Sequence, residues 1–149
     1  MKKLLPVLIL ACFLTACNLS LPHGRTESAS QIMSEILSEF ELEEGFVYES
    51  DLTAELPLTD TLLARMFPDD GDTEDLFCVV SAAVYFSKRF SEHEILIFEI
   101  SDISHTDDIT QLVKKRAKKK ENAVVIADGV YVYLICTDRN EAISRYLKP

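Results

Sequence analysis

The pair Asp128-Gly129, set between the runs Asn122–Ala127 and Val130–Thr137, limits what this chain can fold into more than any other feature. Both runs are rich in β-branched and aromatic residues, and Asp-Gly between two such runs spells a β-hairpin. The glycine accepts the positive φ that a tight type I′ turn requires. A lone hairpin is at best marginal in water, so further strands or a helix must cover its apolar face.

The neighbouring sequence supplies both. Phe77 to Phe86 reads as a strand too apolar on both parities to be fully exposed. Glu94 to Ile100 reads as a second strand, after the polar connection Ser87–Glu92. A helix follows, with Ser104 or Thr106 as its cap and Ile109, Leu112 and Val113 turned inward. Asp138-Arg139-Asn140-Glu141 opens a last helix that carries Ile143, Tyr146 and Leu147 on one face. Upstream, Ser28-Ala29-Ser30-Gln31 is a capping-box spelling, and Ile32, Met33, Ile36, Leu37 and Phe40 follow on one helical face up to the stop at Gly45. Phe46 to Tyr48 is a short extended piece. Leu62, Leu63, Met66 and Phe67 mark a second, shorter helix ended by Pro68.

The order is two helices, then β-β-α twice. It predicts an α+β fold with a mostly antiparallel four-stranded sheet, helices packed on one face, and N-terminal helices in front. The two β-β-α units do not match closely enough to read as a duplication. A length of 149 residues leaves room for one domain, over residues 28–149.

The first residues carry an address rather than structure. Lys2 and Lys3 precede an apolar run of 11 residues, Leu4 to Leu14, where a membrane-spanning helix needs about 20. A basic head with a short apolar middle is a secretory signal, here residues 1–16. The run closes on Leu14-Thr15-Ala16-Cys17, which resembles a bacterial lipobox. Such a box needs a thiol as acyl acceptor and small residues before it, so that a peptidase reaches the backbone. On this reading Cys17 carries a diacylglycerol, whose two chains suffice for stable anchoring. Residues 17–27 become a lipidated tether, and the protein sits at the extracytoplasmic face of the cell membrane. Cleavage removes two lysines and no acids, taking the net charge from −10 to −12. That balance argues against a nucleic-acid partner, because phosphate neutralisation needs a basic surface. Cys12 leaves with the signal, so Cys78 and Cys136 remain, in apolar strands. They form either a disulfide, which an exported location permits, or two buried thiols.

Three stretches together resemble a known family: Glu94–Ile100, Leu112-Val113-Lys114-Lys115-Arg116, and Val125–Val132. They are similar to the domain of unknown function 4358 family, small lipoproteins of Firmicutes-type bacteria. In that family a glutamate opens an apolar strand, a helix ends near an arginine, and a Gly-x-Tyr strand follows. The likeness spans about residues 46–147, with Glu94, Phe98, Arg116, Gly129 and Tyr131 as fixed points. Members often carry a longer stretch after the arginine, where this chain has only Lys118–Asn122. The resemblance implies fold and location and no activity. It singles out Glu94 and Arg116, which the spacing also relates. Arg116 lies three residues beyond inward-facing Val113, at the edge of the helix's buried face. A helix returning along its strand brings its last turn over the strand's start, so the two are expected to form a structural ion pair.

Other constellations are sparse. Lys114, Lys115, Arg116, Lys118, Lys119 and Lys120 place six cations within seven residues. Either this is a patch for anionic headgroups or wall polymers, or a solvated helix end whose cations suit the dipole and pair with the protein's own acids. Asp69, Asp70, Asp72, Glu74 and Asp75 read as a solvated turn, since their spacing misses the EF-hand pattern. His23, His93 and His105 lack ligand spacing, and HExxH, GxSxG and phosphate-cradling glycine loops are missing. No cofactor, metal or catalytic residue is therefore expected. The favoured function is a lipid-anchored, non-catalytic domain that binds a partner protein, an envelope polymer or a small ligand. The alternative is an envelope hydrolase or metal-dependent enzyme assembled from scattered Asp, Glu and Tyr residues.

Overall fold

The computed structural model describes residues 24–69, 72–89 and 92–148. The signal segment, Cys17 and His23 lie outside the described residues. Helix α1 (Ala29–Glu39) is followed by β1 (Gly45–Glu49), α2 (Asp60–Met66), β2 (Val79–Ser87), β3 (Glu94–Ile100), α3 (Thr106–Ala117), β4 (Val124–Asp128), β5 (Tyr131–Cys136) and α4 (Asn140–Leu147). The strands form one antiparallel sheet in the order β1-β2-β3-β5-β4. The fold is α+β, with a fifth strand beyond the four expected. The extended piece at Phe46–Tyr48 becomes β1 because it pairs with Val84–Phe86 on β2.

The helices cover both faces of the sheet, not one. The reason lies in β3 and β5, which are apolar at odd and even positions alike, so water must be excluded on each side. Leu96, Phe98, Val132 and Leu134 pack under α3 with Met66 and Phe67. Ile95, Ile97, Tyr133 and Ile135 pack under α1 and α4, against Ile32, Met33, Ile36, Ile143 and Leu147. The capping box forms at α1: Ser28 accepts from the Gln31 N–H while the Gln31 side chain accepts from the Ser28 N–H.

The sheet has two ends that matter below. At one lie Glu94, Ser87, Cys136 and Gly45; at the other lie Ile100, Val79 and Tyr131, with the shorter β1 ending at Glu49 opposite Ala83, before that end is reached. At this second, Ile100 end the chain enters the fold. The Ala29 N–H donates to Ser81 Oγ at 3.0 Å, and the Tyr131 hydroxyl donates to the carbonyls of Arg25 (3.1 Å) and Glu27 (2.8 Å).

Local chemistry departs from expectation in three places. Glu74–Cys78 is a 3-10 turn rather than the start of β2, and a bulge between Val79 and Ser81 resets the register. Neither Ser104 nor Thr106 caps α3. Asp102 instead accepts from the Ser104 N–H to cap a 3-10 turn, Ile103–His105, that leads into the helix. The hairpin is set one residue later than a type I′ turn on Asp128-Gly129. Asp128 stays in the ladder opposite Tyr131, so Gly129 and Val130 form the loop. Only Gly129 has positive φ (58°), the glycine-first pattern of a type II′ turn, which keeps β-branched Val130 out of a strained region. Cys78 and Cys136 are both free and buried. Cys136 pairs with Glu94 and Val79 with Ile100, six residues apart along β3, so about 20 Å separates the thiol positions. A disulfide needs Cα atoms within about 7 Å.

A side chain at Gly129 would meet nothing within 4 Å, so backbone conformation alone reserves the position for glycine. Gly129→Val should therefore cost more than the roughly 1 kcal/mol of an ordinary glycine replacement. Thermal unfolding checks this, and an unchanged melting temperature would remove the turn argument.

Candidate functional site

Glu94 opens an interior strand, flanked by Phe86 on β2 and Cys136 on β5. It shares parity with Leu96 and Phe98 and so points toward the α3 face. Its side chain is 0% exposed, where an unpaired carboxylate would be strongly disfavoured. Helix α3 returns along the sheet and delivers the compensation. Arg116 Nε donates to Oε1 at 2.5 Å and Nη2 to Oε2 at 2.7 Å, a two-pronged contact that matches the planar fork to both oxygens. The third nitrogen, Nη1, donates to the Met66 carbonyl at 2.9 Å, and the guanidinium lies 5.9 Å from the Phe67 ring centre. Lys120 adds a second cation: its Nζ is 2.9 Å from Oε2 and also donates to the Glu92 carbonyl.

The basic run is thereby split. Arg116 and Lys120 turn inward to Glu94. Lys115 bonds to Asp72 at 2.6 Å, a contact that pushes the lysine pKa up. Asp72 is itself buried and so differs from the solvated acid expected in that loop: Lys115 reaches over to cover it. Lys114, Lys118 and Lys119 stay exposed, and their side chains make no ion pair among the described residues. Lys114 and Lys118, one helical turn apart, stand over a cleft of about 380 Å³ floored by Ala117, Ala123 and Val125. Val125 belongs to β4, an edge strand, so the cleft runs beside an open sheet edge. Sequence reasoning missed Lys120 as a partner of Glu94 and did not divide the run. A signal was available in the four-residue spacing, which pairs 116 with 120 and 114 with 118.

The other concavity of chemical interest, about 350 Å³ at the Glu94 end, includes Glu92, His93, Glu121, Cys136 and Asp138 in its lining. Its thiol is not activated. Burial pushes the Cys136 pKa up, and Sγ donates to the Glu121 carbonyl at 3.4 Å. His93 Nδ1 lies 3.7 Å from the Glu43 carboxylate, at the cleft's border. Among the described residues no group of three or more His, Cys, Asp or Glu side chains is placed to hold a metal ion, and no helix is long and apolar enough to cross a membrane. Cys17, the expected lipidation site, lies outside the described residues. Compared with family models, curated proteins and solved structures, the chain finds no match.

The Glu94 cluster makes a quantitative prediction. Breaking a buried ion pair on one side costs roughly 3–5 kcal/mol, whereas an exposed pair is worth about 0–1 kcal/mol. Glu94→Gln should fall in the upper range, because it leaves two cations facing one neutral amide. Arg116→Met should cost less, since Lys120 remains. Denaturant unfolding of both single variants and the double variant should give a coupling free energy above about 1 kcal/mol; strictly additive losses would mean that the two side chains do not interact.

Proposed function

We propose that this protein is a lipid-anchored, non-catalytic binding domain at the outer face of the bacterial cytoplasmic membrane, and that the lysines over the β4 cleft receive an anionic envelope partner. The anchoring rests on the basic head, the short apolar run and the Leu14–Cys17 box. The binding reading is carried by one observation: among the described residues Lys114, Lys118 and Lys119 make no ion pair, while the cations between and beyond them are matched to buried acids.

In a chain with 25 acidic and 15 basic side chains, two exposed lysines one helical turn apart over one cleft are a local reversal of sign. The cleft beneath them offers apolar floor and positive rim, with no nucleophile and no acid in its lining. Such a site holds a ligand by charge and contact area rather than transforming it. A wall polymer bearing repeated phosphates or carboxylates fits this chemistry, as does an acidic segment of an envelope protein.

Two measurements test the reading. Grown with labelled fatty acid, cells should produce a labelled wild-type protein, and Cys17→Ala should abolish the label; equal labelling would end the anchoring claim. Full-length protein should also cosediment with isolated anionic wall polymer in a salt-sensitive way. Reversing two charges as Lys114→Glu with Lys118→Glu should weaken that binding tenfold or more, at about 1 kcal/mol per charge near an anionic surface. Unchanged binding would exclude the cleft as the site.

A further inference from the structure

Among the described residues, the four most exposed large apolar side chains are Leu52 (82% exposed), Phe77 (76%), Ile103 (65%) and Val80 (59%). Phe77, Val80 and Ile103 lie where β2 begins and β3 ends, and Leu52 lies in the loop that leaves β1 toward that Ile100 end. Leu52 lies in the loop after β1, which is tied down where the Ser50 N–H donates to the Ala82 carbonyl. Phe77 lies in the 3-10 turn just before β2, and Val80 is the second residue of that strand. Ile103 sits in the turn after β3, which is joined to the Phe77 segment twice: the Ser101 N–H donates to the Cys78 carbonyl, and the Phe77 and His105 rings meet edge to face at 5.2 Å. Among the described residues the next most exposed, Phe46, is at the opposite end, under the Lys88 ammonium.

The same end is where the chain arrives from its N-terminus. Arg25 and Glu27 are held by Tyr131, and Ala29 by Ser81. Cys17 and Gly24 are seven residue steps apart along the chain, a span of at most about 25 Å. Helix α3, by contrast, starts at this end, where Thr106 Oγ1 donates to the Gly129 carbonyl, and runs away from it for about 18 Å. Lys118 and Lys119 are therefore at the far end.

From this arrangement we infer that the Ile100 end rests on the lipid bilayer, with Leu52, Phe77, Val80 and Ile103 as shallow apolar contacts, and that the lysine cleft faces away from the membrane. The inference rests on the proposed lipidation of Cys17, and it narrows the partner of the cleft to something in the envelope space rather than the headgroups of the anchoring membrane. Four exposed apolar side chains on one end would otherwise order water at the place where the acyl chains hold the domain nearest to lipid. Asp51, Asp75, Asp102 and Asp107 flank them, and their carboxylates confine insertion to the headgroup boundary, since burial in hydrocarbon would strip their hydration. A domain anchored by its acyl chains needs no further affinity from these contacts. They act on its orientation.

The chain has no tryptophan, so a single one reports position without background. Full-length lipidated protein carrying Phe77→Trp, Ile103→Trp or Phe46→Trp would be reconstituted into phosphatidylcholine vesicles with brominated acyl chains. Emission from the Phe77→Trp and Ile103→Trp proteins should move to the blue and be quenched about twofold or more beyond that of Phe46→Trp, as expected for side chains within about 5–10 Å of the acyl boundary. Quenching no greater than at Phe46→Trp would overturn the orientation and leave the apolar end to a protein partner. Stronger quenching at Phe46→Trp would overturn it in favour of the reverse pose. Fatty-acid labelling of the same samples keeps the two claims apart: an unlabelled chain defeats the anchoring, whereas a labelled chain without quenching at the Ile100 end defeats only the orientation.

Discussion

A carboxylate with no access to water, held between a guanidinium and an ammonium, is the contact on which the arrangement of the helices depends. Glu94 takes Arg116 from the last turn of α3 and Lys120 from the segment after it, while the spare nitrogen of Arg116 reaches the end of α2. One side chain thus fixes where α3 stops, how the following loop folds back, and where the short α2 lies. Such clusters contribute little net stability compared with a well-packed apolar replacement, because desolvation offsets attraction. What they fix is position. The loop beyond Lys120 is drawn in by Glu92, which accepts from both the Lys120 side chain and the Glu121 N–H, and this leads to the left-handed residue Asn122 just before β4.

Much of this is written in local sequence. The limits of β3 coincide with the run Glu94–Ile100, because a β-rich segment between a polar connection and Ser101-Asp102 has nowhere else to end. The capping box of α1 and the glycine of the last hairpin are equally local, each needing two to four residues to specify. The approach of Arg116 to Glu94 follows from its spacing to Val113 and from the antiparallel return of α3. Less legible were features that depend on what arrives from a distance. Phe77 looks like a strand residue by type, yet the chain needs a 3-10 turn there to bring Cys78 under the core. Strand β1 carries only the three-residue signal Phe46-Val47-Tyr48, and it becomes a strand of the sheet because the edge of β2 is open to it. Apolar residues of both parities in β3 and β5 imply two covered faces, but they do not say which helix goes to which face. In the basic run, residue types marked the cations, and only the fold separates the three matched to buried acids from the three that make no ion pair among the described residues.

The molecule is consequently polar in a geometric sense. One end gathers exposed apolar side chains around the point where the N-terminal segment enters; the other gathers the basic C-terminal end of α3 and the polar cleft around Glu92 and Glu121. Neither end is built from contiguous sequence. The apolar end draws on residues 52, 77 and 103, from three separate connections, and on residue 80 at the start of β2, so its character comes from the way alternate strand ends are brought together.

The strand order β1-β2-β3-β5-β4 also bears on how the sheet assembles. Pairing β3 with β5 is the one step that joins strands not consecutive in sequence, and it closes a loop containing all of α3 and β4. The hairpins β2–β3 and β4–β5 form first on loop-closure grounds, which leaves β3 to find its register afterwards. With both faces apolar, a slip of one residue would cost β3 few hydrophobic contacts, and the usual inside–outside alternation would not reject it. Glu94 supplies the missing discrimination. A slipped β3 would carry that carboxylate to the face of α1 and α4, among Ile32, Ile36 and Ile143, with no cation to meet it. A charge that adds little to the correct fold thereby raises the free energy of its nearest misfolded neighbour.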